Sequence, residues 1–306
     1  MRSQRGVALV LVMWIAILLT VIASSFMLEA RTDTLVVQNS IASARAEAAA
    51  DAGVHRALSE LYRTDNAPEA WRRDGSTREW SFDGISVNVE LRDESGKIDI
   101  NTGSDALLRG LLLSAGLNDD EAAKLLDAIL DWRDADSLKR LNGAEEADYR
   151  AAGLTYKPAN ATFQAIEELQ LVLGMRPHIY RRISPLITVF SRVPGVNTQV
   201  ASREVLLAIP GVTAQMVDEY IALREQAIAA GQPVPVMREA AAFNAAISMV
   251  ATIRSEARLE DGTVFVREAV ALLRPTPRRP VTFLAWREAL PSSGTTTDTA
   301  AKGAGT

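Results

Sequence analysis

The sequence predicts an α+β fold: one very long N-terminal helix packed on an antiparallel sheet, with a large all-α segment inserted into that sheet. Three observations carry this. An uncharged run of 22 residues, Val7 to Leu28, is followed by helical spacing without a proline as far as residue 63. Two separated stretches alternate apolar and polar residues around an Asp-Gly pair, at Asp83-Gly84 and at Asp261-Gly262. Between them, residues 98–245 are mostly helical in pattern and hold a weak internal repeat.

The N-terminal run reads VALVLVMWIAILLTVIA from Val7 to Ala23, with Thr20 its only polar residue, and the next charge is Glu29. Its length is close to the roughly 20 residues that carry a helix across hydrocarbon. Arg2 and Arg5 precede it and Glu29, Arg31 and Asp33 follow. That charge bias puts the N-terminus in the cytoplasm and the remainder outside. A cleaved secretory signal has an apolar region of only about 7–15 residues, so a retained anchor is expected. Residues 29–63 contain one glycine, Gly53, and are rich in Ala, Glu and Arg, which favour helix. Leu35, Val36, Ile41, Ala42, Ala46, Ala49, Val54, Ala57, Leu58 and Leu61 fall near helical spacing. One helix from Val7 to about Arg63 would be about 85 Å long; the alternative is a break near Ser24-Ser25 or Gly53.

Residues 64–78, with Pro68 and Gly75, read as a loop. Arg78–Phe82 and Ile85–Arg92 then form a hairpin. Ile85, Val87, Val89 and Leu91 share one face and Ser86, Asn88, Glu90 and Arg92 the other, as in a half-buried sheet. In the helical segment, Asn101-Thr102, Leu107-Leu108, Gly116-Leu117, Ile129 and Arg133 are echoed by Asn197-Thr198, Leu206-Leu207, Gly211-Val212, Ile221 and Arg224. A shorter third copy runs from Phe163 through Gly174 to Ile183. Each reads as helix, glycine turn, helix. Strands return at Met249–Leu259 and Thr263–Leu273. The prolines of Arg274–Pro280 keep that segment out of a sheet, Val281–Trp286 adds a last strand, and residues 291–306 read as a disordered tail.

Composition excludes several functions. The chain has 306 residues, no cysteine and a net charge of −5, so it has no disulfide framework and no Cys-ligated zinc or iron–sulfur site. Excess acid disfavours general nucleic-acid binding. Hydrophobic residues make up 48%, too many for a disordered chain. His55 and His178 stand alone, and no nucleophile elbow, phosphate loop or H-E-x-x-H is present. Nothing suggests catalysis, and no cofactor is required. The tryptophans read as core or interface residues.

The best site candidate is acidic: Asp131, Asp134, Asp136, Glu145, Glu146 and Asp148. Calcium takes six to eight oxygen ligands, and Asp131 and Asp134 share a helix face, but the spacing is not that of an EF-hand. A calcium site and a solvated, helix-capping cluster both stay open. Asp93, Glu94 and Asp99 around Gly96 read as a turn leaving a strand, with Asp99 or Asn101 as a helix N-cap. Ala208-Ile-Pro-Gly-Val-Thr213 is similar to the hairpin of helix-hairpin-helix DNA-binding domains. Its flanks carry Asp218 and Glu219 and no lysine, so no nucleic-acid partner is expected.

The opening Met1-Arg-Ser-Gln-Arg-Gly6, with an apolar run starting abruptly at Val7, resembles a type IV prepilin leader, cut by prepilin peptidase between Gly6 and Val7. Pilins resembling this carry Glu as the fifth mature residue; here that position is Leu11. The departure points to the K-type minor pseudopilins of the type II secretion pathway (the GspK family). Asp93-Glu-Ser-Gly-Lys-Ile-Asp-Ile-Asn101, Asp127 to Asp136 with Gly143-Ala-Glu145, and Phe163 to Gly174 also resemble that family. The resemblance implies a leader (1–6), a membrane-spanning part (7–28), a pilin-like body (29–97 and 246–290) and an inserted domain of helix-hairpin-helix or SAM-like units (98–245). It implies an inner-membrane, single-pass protein with a periplasmic body. The partners it implies are the I- and J-type minor pseudopilins in a heterotrimeric tip complex, the H-type minor and G-type major pseudopilins, and prepilin peptidase. It also strengthens the calcium reading. Lacking a carboxylate at Leu11 to attract a neighbour's N-terminal amine suits a tip subunit. Loss of Arg2 and Arg5 on cleavage would take the charge from −5 to −7. A membrane-anchored helix-hairpin-helix DNA-binding protein and a minor pilin of a type IV pilus are the alternatives.

Overall fold

The computed structural model describes residues 5–63, 71–274 and 280–291. The expected leader residues before Arg5, part of the 64–78 loop, most of the proline-rich segment and nearly all of the tail lie outside them. The N-terminal helix α1 is continuous over Arg5–Leu61, 57 residues with no break at Ser24-Ser25 or Gly53. Its apolar half has a mean hydropathy of 2.6 over 18 residues, none of it buried within the chain.

The upper part of α1 lies on a five-stranded antiparallel sheet. The strands are β1 (Asp74–Phe82), β2 (Ile85–Asp93), β5 (Val250–Arg258), β6 (Val264–Leu273) and β7 (Val281–Glu288), in the order β1-β2-β5-β6-β7. Strand β1 starts four residues earlier than the loop reading allowed. The Asp83-Gly84 turn has positive φ at both residues, 49° and 76°, the geometry of a tight hairpin turn. Ala49, Ala50, Val54, Ala57 and Leu58 repeat at near-helical spacing and pack on Val87, Val89, Leu91, Ile253, Ala257, Ala269 and Ala271. Leu35, Val36 and Ile41 share the helical spacing but are exposed, because the sheet stops short of them. Gly53 marks the closest approach. A Cβ there would lie 2.1 Å from Ser255 Oγ and 2.8 Å from Val87 Cγ1. Arg267 of β6 clamps the helix, donating to Asp51 and Glu47 at 2.6 Å each.

The chain leaves the sheet after Asp93 and rejoins it at Val250. Between lie β3 (Ile98–Asp99), α2 (Asp105–Ser114), α3 (Asp119–Arg133), α4 (Glu146–Ala151), α5 (Pro177–Ile183), β4 (Ile187–Thr188), α6 (Arg203–Leu207) and α7 (Ala214–Ala229), with short 3-10 turns between some of them. The segment is not purely helical: β3 and β4 pair in parallel. Three glycine turns, at Gly116, Gly174 and Gly211, take φ of 96°, 89° and 81°, which glycine adopts without strain. The repeat is visible in detail. Ser104 and Ser202 cap the first helices of the two main units. Arg133 and Arg224, at matching places on the second helices, reach back to carbonyls at the start of their units: Ile100 O at 2.6 Å and Ala201 O at 2.7 Å. All three units share one core, including Leu107, Leu111, Ile129, Phe163, Ile183 and Leu206.

A buried polar junction joins insert to sheet. Asp93 Oδ1 accepts from the Ser95 amide at 2.9 Å and the Ser248 amide at 3.0 Å, while Oδ2 accepts from Arg73 at 3.0 Å. Burial outweighs these partners and holds the Asp93 carboxyl above its ordinary value. Glu94 accepts from Lys97 at 2.8 Å, from Thr252 of β5 at 2.6 Å and from Thr188 of β4. Its burial pushes the other way, but Lys97 and the hydroxyls win and its carboxyl is held below the ordinary range. Asp99 accepts from the amides of Asn101 (2.8 Å), Thr102 (3.1 Å) and Arg192 (2.8 Å). It closes a turn; the N-cap of α2 is Ser104, not Asp99 or Asn101.

Gly53→Ala should destabilise the chain by roughly 1–3 kcal/mol through overpacking. Ser255→Ala should be neutral or stabilising, because Ser255 Oγ is buried without a partner. Denaturant midpoints of the detergent-solubilised protein measure both.

Candidate metal centre

The last turn of α3 carries Asp131 fully inside. The chain then doubles back, and the Arg140 amide donates to both Asp131 oxygens at 3.3 Å. Gly143 is pressed against the same carboxylate: a Cβ there would lie 1.9 Å from Asp131 Oδ2, so a larger residue has no room. Burial raises the Asp131 carboxyl against the pull of the Arg140 and Ala144 amides, and the charge of Asp134 adds to the rise.

Asp134 caps the C-terminal end of α3. Burial and then the charge of Asp136 raise its carboxyl, and its Oδ1 is buried without a hydrogen-bond partner. Glu145 is 9% exposed, and its Oε1 is likewise buried and unpartnered. Burial raises it first, then the charges of Asp131, Asp134 and Asp136. Asp136 is exposed; its Oδ1 accepts from the Leu138 amide at 2.8 Å.

Four of the six acidic residues therefore act on one another: Asp131, Asp134, Asp136 and Glu145. The other two have other partners. Glu146 pairs with Arg150 at 2.6 Å and Lys157 at 3.5 Å. Asp148 accepts from Lys139 at 2.6 Å and from the Glu145 amide at 2.9 Å; Lys139 and that amide hold its carboxyl low. Sequence reasoning missed two neighbours. Asn160 donates to the Asp136 carbonyl at 2.6 Å, and its own Oδ1 is buried without a partner. Arg140 reaches over the cluster, with Nε 3.5 Å from Asp131 Oδ1 and a terminal nitrogen 3.9 Å from Asp134 Oδ2. No motif marks either residue, since both are brought in by the fold of the loop.

The donor set is all oxygen, which suits a hard cation such as calcium. Three of its oxygens (Asp134 Oδ1, Glu145 Oε1 and Asn160 Oδ1) lack partners. Among the described residues no group of three or more His, Cys, Asp or Glu side chains is placed to hold a metal ion. The hairpin at Pro210-Gly211 offers less to a phosphate, because Arg203 beside it is paired with Asp218 at 2.7 and 3.1 Å.

Residues 88–194, which hold the junction, α2, α3 and the acidic loop, match the family model for the type II secretion system protein K. The type II secretion system protein K of Pseudomonas aeruginosa is 27% identical, over 71% of this chain and 72% of that protein. That of Pectobacterium carotovorum is 30% identical, over 61% and 63%. By these matches the chain is similar to the type II secretion system protein K family. In fold it is similar to a chain of the crystal structure of the GspK–GspI–GspJ complex from enterotoxigenic Escherichia coli, with a TM-score of 0.55 and 17% identity over 86% of this chain and all of that one. The long helix, the sheet and the inserted helices share the fold of that solved chain, and the matches favour neither a DNA-binding protein nor a type IV minor pilin.

An acid whose folded value is raised contributes stability that is complete below its ordinary value and lost as pH rises through the raised one. Asp131, Asp134 and Glu145 are such acids. Without metal, Glu145→Gln should therefore be more stable than the parent at pH 7. The difference should close as pH falls towards about 4. Urea midpoints in EDTA across that range decide it; a variant less stable at pH 7 contradicts the electrostatic account.

Proposed function

We propose that this protein sits at the tip of the type II secretion pseudopilus, in a complex with I- and J-type minor pseudopilins above the H-type and G-type subunits. It serves assembly for export of folded periplasmic proteins, not catalysis. The observation that carries the proposal is where the insert is attached. The Tyr62 hydroxyl, at the end of α1 far from the apolar half, donates to the Pro280 carbonyl. Leu273, Met249 and Asp93 lie at that same end of the sheet. The insert thus stands at the end away from the membrane, where it would obstruct a further subunit stacked above. The solved relative of similar fold is from a GspK–GspI–GspJ complex. Leu11, in place of a carboxylate, agrees with a subunit that recruits none above it.

The apolar helix anchors the chain once in the inner membrane, N-terminus in the cytoplasm and body in the periplasm, after prepilin peptidase cuts between Gly6 and Val7. Calcium is held by the acidic loop, through Asp131, Asp134, Asp136 and Glu145 with Asn160 contributing its carbonyl oxygen; Glu146 and Asp148 support the loop from outside.

Intact mass and N-terminal sequence, with and without prepilin peptidase, test the pathway. A chain starting at Val7 only when the peptidase is present is expected; one keeping Met1 in both contradicts it. Co-expression with the I- and J-type subunits should yield a ternary complex. In calcium titrations the parent should gain thermal stability, and Glu145→Gln should lose at least about tenfold in affinity.

A further inference from the structure

We infer that Arg140 is a built-in counter-ion of the acidic loop, which a divalent cation must displace to bind. The inference rests on the calcium reading above and concerns how this chain regulates that site. The charges of Asp131, Asp134 and Asp136 all act on Glu145, which is nine-tenths buried with one oxygen unpartnered. Such a cluster needs positive charge nearby, or its members take up protons. Three basic residues surround it. Arg133 is committed to carbonyls, Ile100 O at 2.6 Å and Gly103 O at 3.5 Å. Lys139 is committed to Asp148. Arg140 differs. Its guanidinium lies 3.5 Å from Asp131 and 3.9 Å from Asp134, beyond good hydrogen-bond distance.

The geometry is that of a replaceable charge. The Arg140 side chain is 43% exposed, so its head can swing to water at little cost. Its backbone amide, by contrast, holds Asp131 through both oxygens. Departure of the side chain therefore leaves the loop tethered. A metal entering beside a resident guanidinium meets like-charge repulsion at short range. A metal entering after the guanidinium has left does not. Apparent affinity is thus reduced by the cation already there, in the same way that any competing bound state reduces it. The arginine also keeps the loop folded when calcium is scarce.

The test is calcium titration by calorimetry on the full chain in detergent, stripped with EDTA, comparing the parent with Arg140→Gln and Arg140→Lys. Arg140→Gln should bind calcium about tenfold or more tightly. Arg140→Lys, which keeps the charge, should stay within about threefold of the parent. Melting supplies a second readout. Arg140→Gln should melt below the parent in EDTA and at the same temperature in saturating calcium, because its larger metal-linked gain offsets its weaker metal-free state. Equal or weaker calcium binding by a folded Arg140→Gln overturns the inference and leaves the calcium site standing. No binding by the parent or by either variant overturns the calcium reading, and the inference with it.

Discussion

Everything beyond the apolar half of α1 depends on two adjacent buried carboxylates. Asp93 and Glu94 sit where β2 ends, and each is almost without solvent. Burying a charge is costly unless it is paired and hydrogen-bonded. Here each partner comes from a different part of the chain. Asp93 gathers Arg73 before β1 and Ser248 before β5; Glu94 gathers Lys97 beside it, Thr188 in β4 and Thr252 in β5. The ends of the two central strands, both ends of the insert and its small parallel sheet are therefore tied together by one set of hydrogen bonds. Two separate apolar cores, one under α1 and one inside the insert, would otherwise have little to fix their relation. The polar junction supplies specificity, where the cores supply most of the driving force.

The same physics produces a different result in the acidic loop. At the junction every buried oxygen of Glu94 and Asp99 meets a donor, and Lys97 keeps Glu94 ionised. In the loop, amides serve Asp131 but leave oxygens of Asp134 and Glu145 alone. One set of carboxylates has been spent on architecture, the other left with capacity. That contrast, more than the count of acids, separates a structural cluster from a candidate ligand site.

Much of this was legible in the sequence, and what was not has physical reasons. The hairpins were readable at Asp83-Gly84 and Asp261-Gly262 because a tight turn demands positive φ, a local requirement with a local signature. The glycine-turn repeat was readable for the same reason. Leu35, Val36 and Ile41 lie on the helix as their spacing indicates but stay exposed, because helical spacing names a face without saying whether anything lies opposite. The β3–β4 pairing, between residues 98–99 and 187–188, leaves no periodic trace at all. In the acidic segment the residue types were plain. Which of Glu145, Glu146 and Asp148 would face inward depended on how α4 is capped, and Arg140 and Asn160 entered only through closure of the loop.

The hydrogen bond from the Ser248 amide to Asp93 has a consequence for the architecture as a whole. The strand that departs and the strand that returns are a single bond apart, so residues 94–247 form an excursion whose two ends already touch. A brief turn in their place would close the sheet on itself, leaving its strand order unchanged. Loop-closure entropy grows only slowly with length, so the sheet is nearly indifferent to how large the excursion is. The shaft and its head are separable modules: a head can be lengthened, trimmed or exchanged over evolutionary time while the long apolar helix, and the strands that brace it, stay as they are.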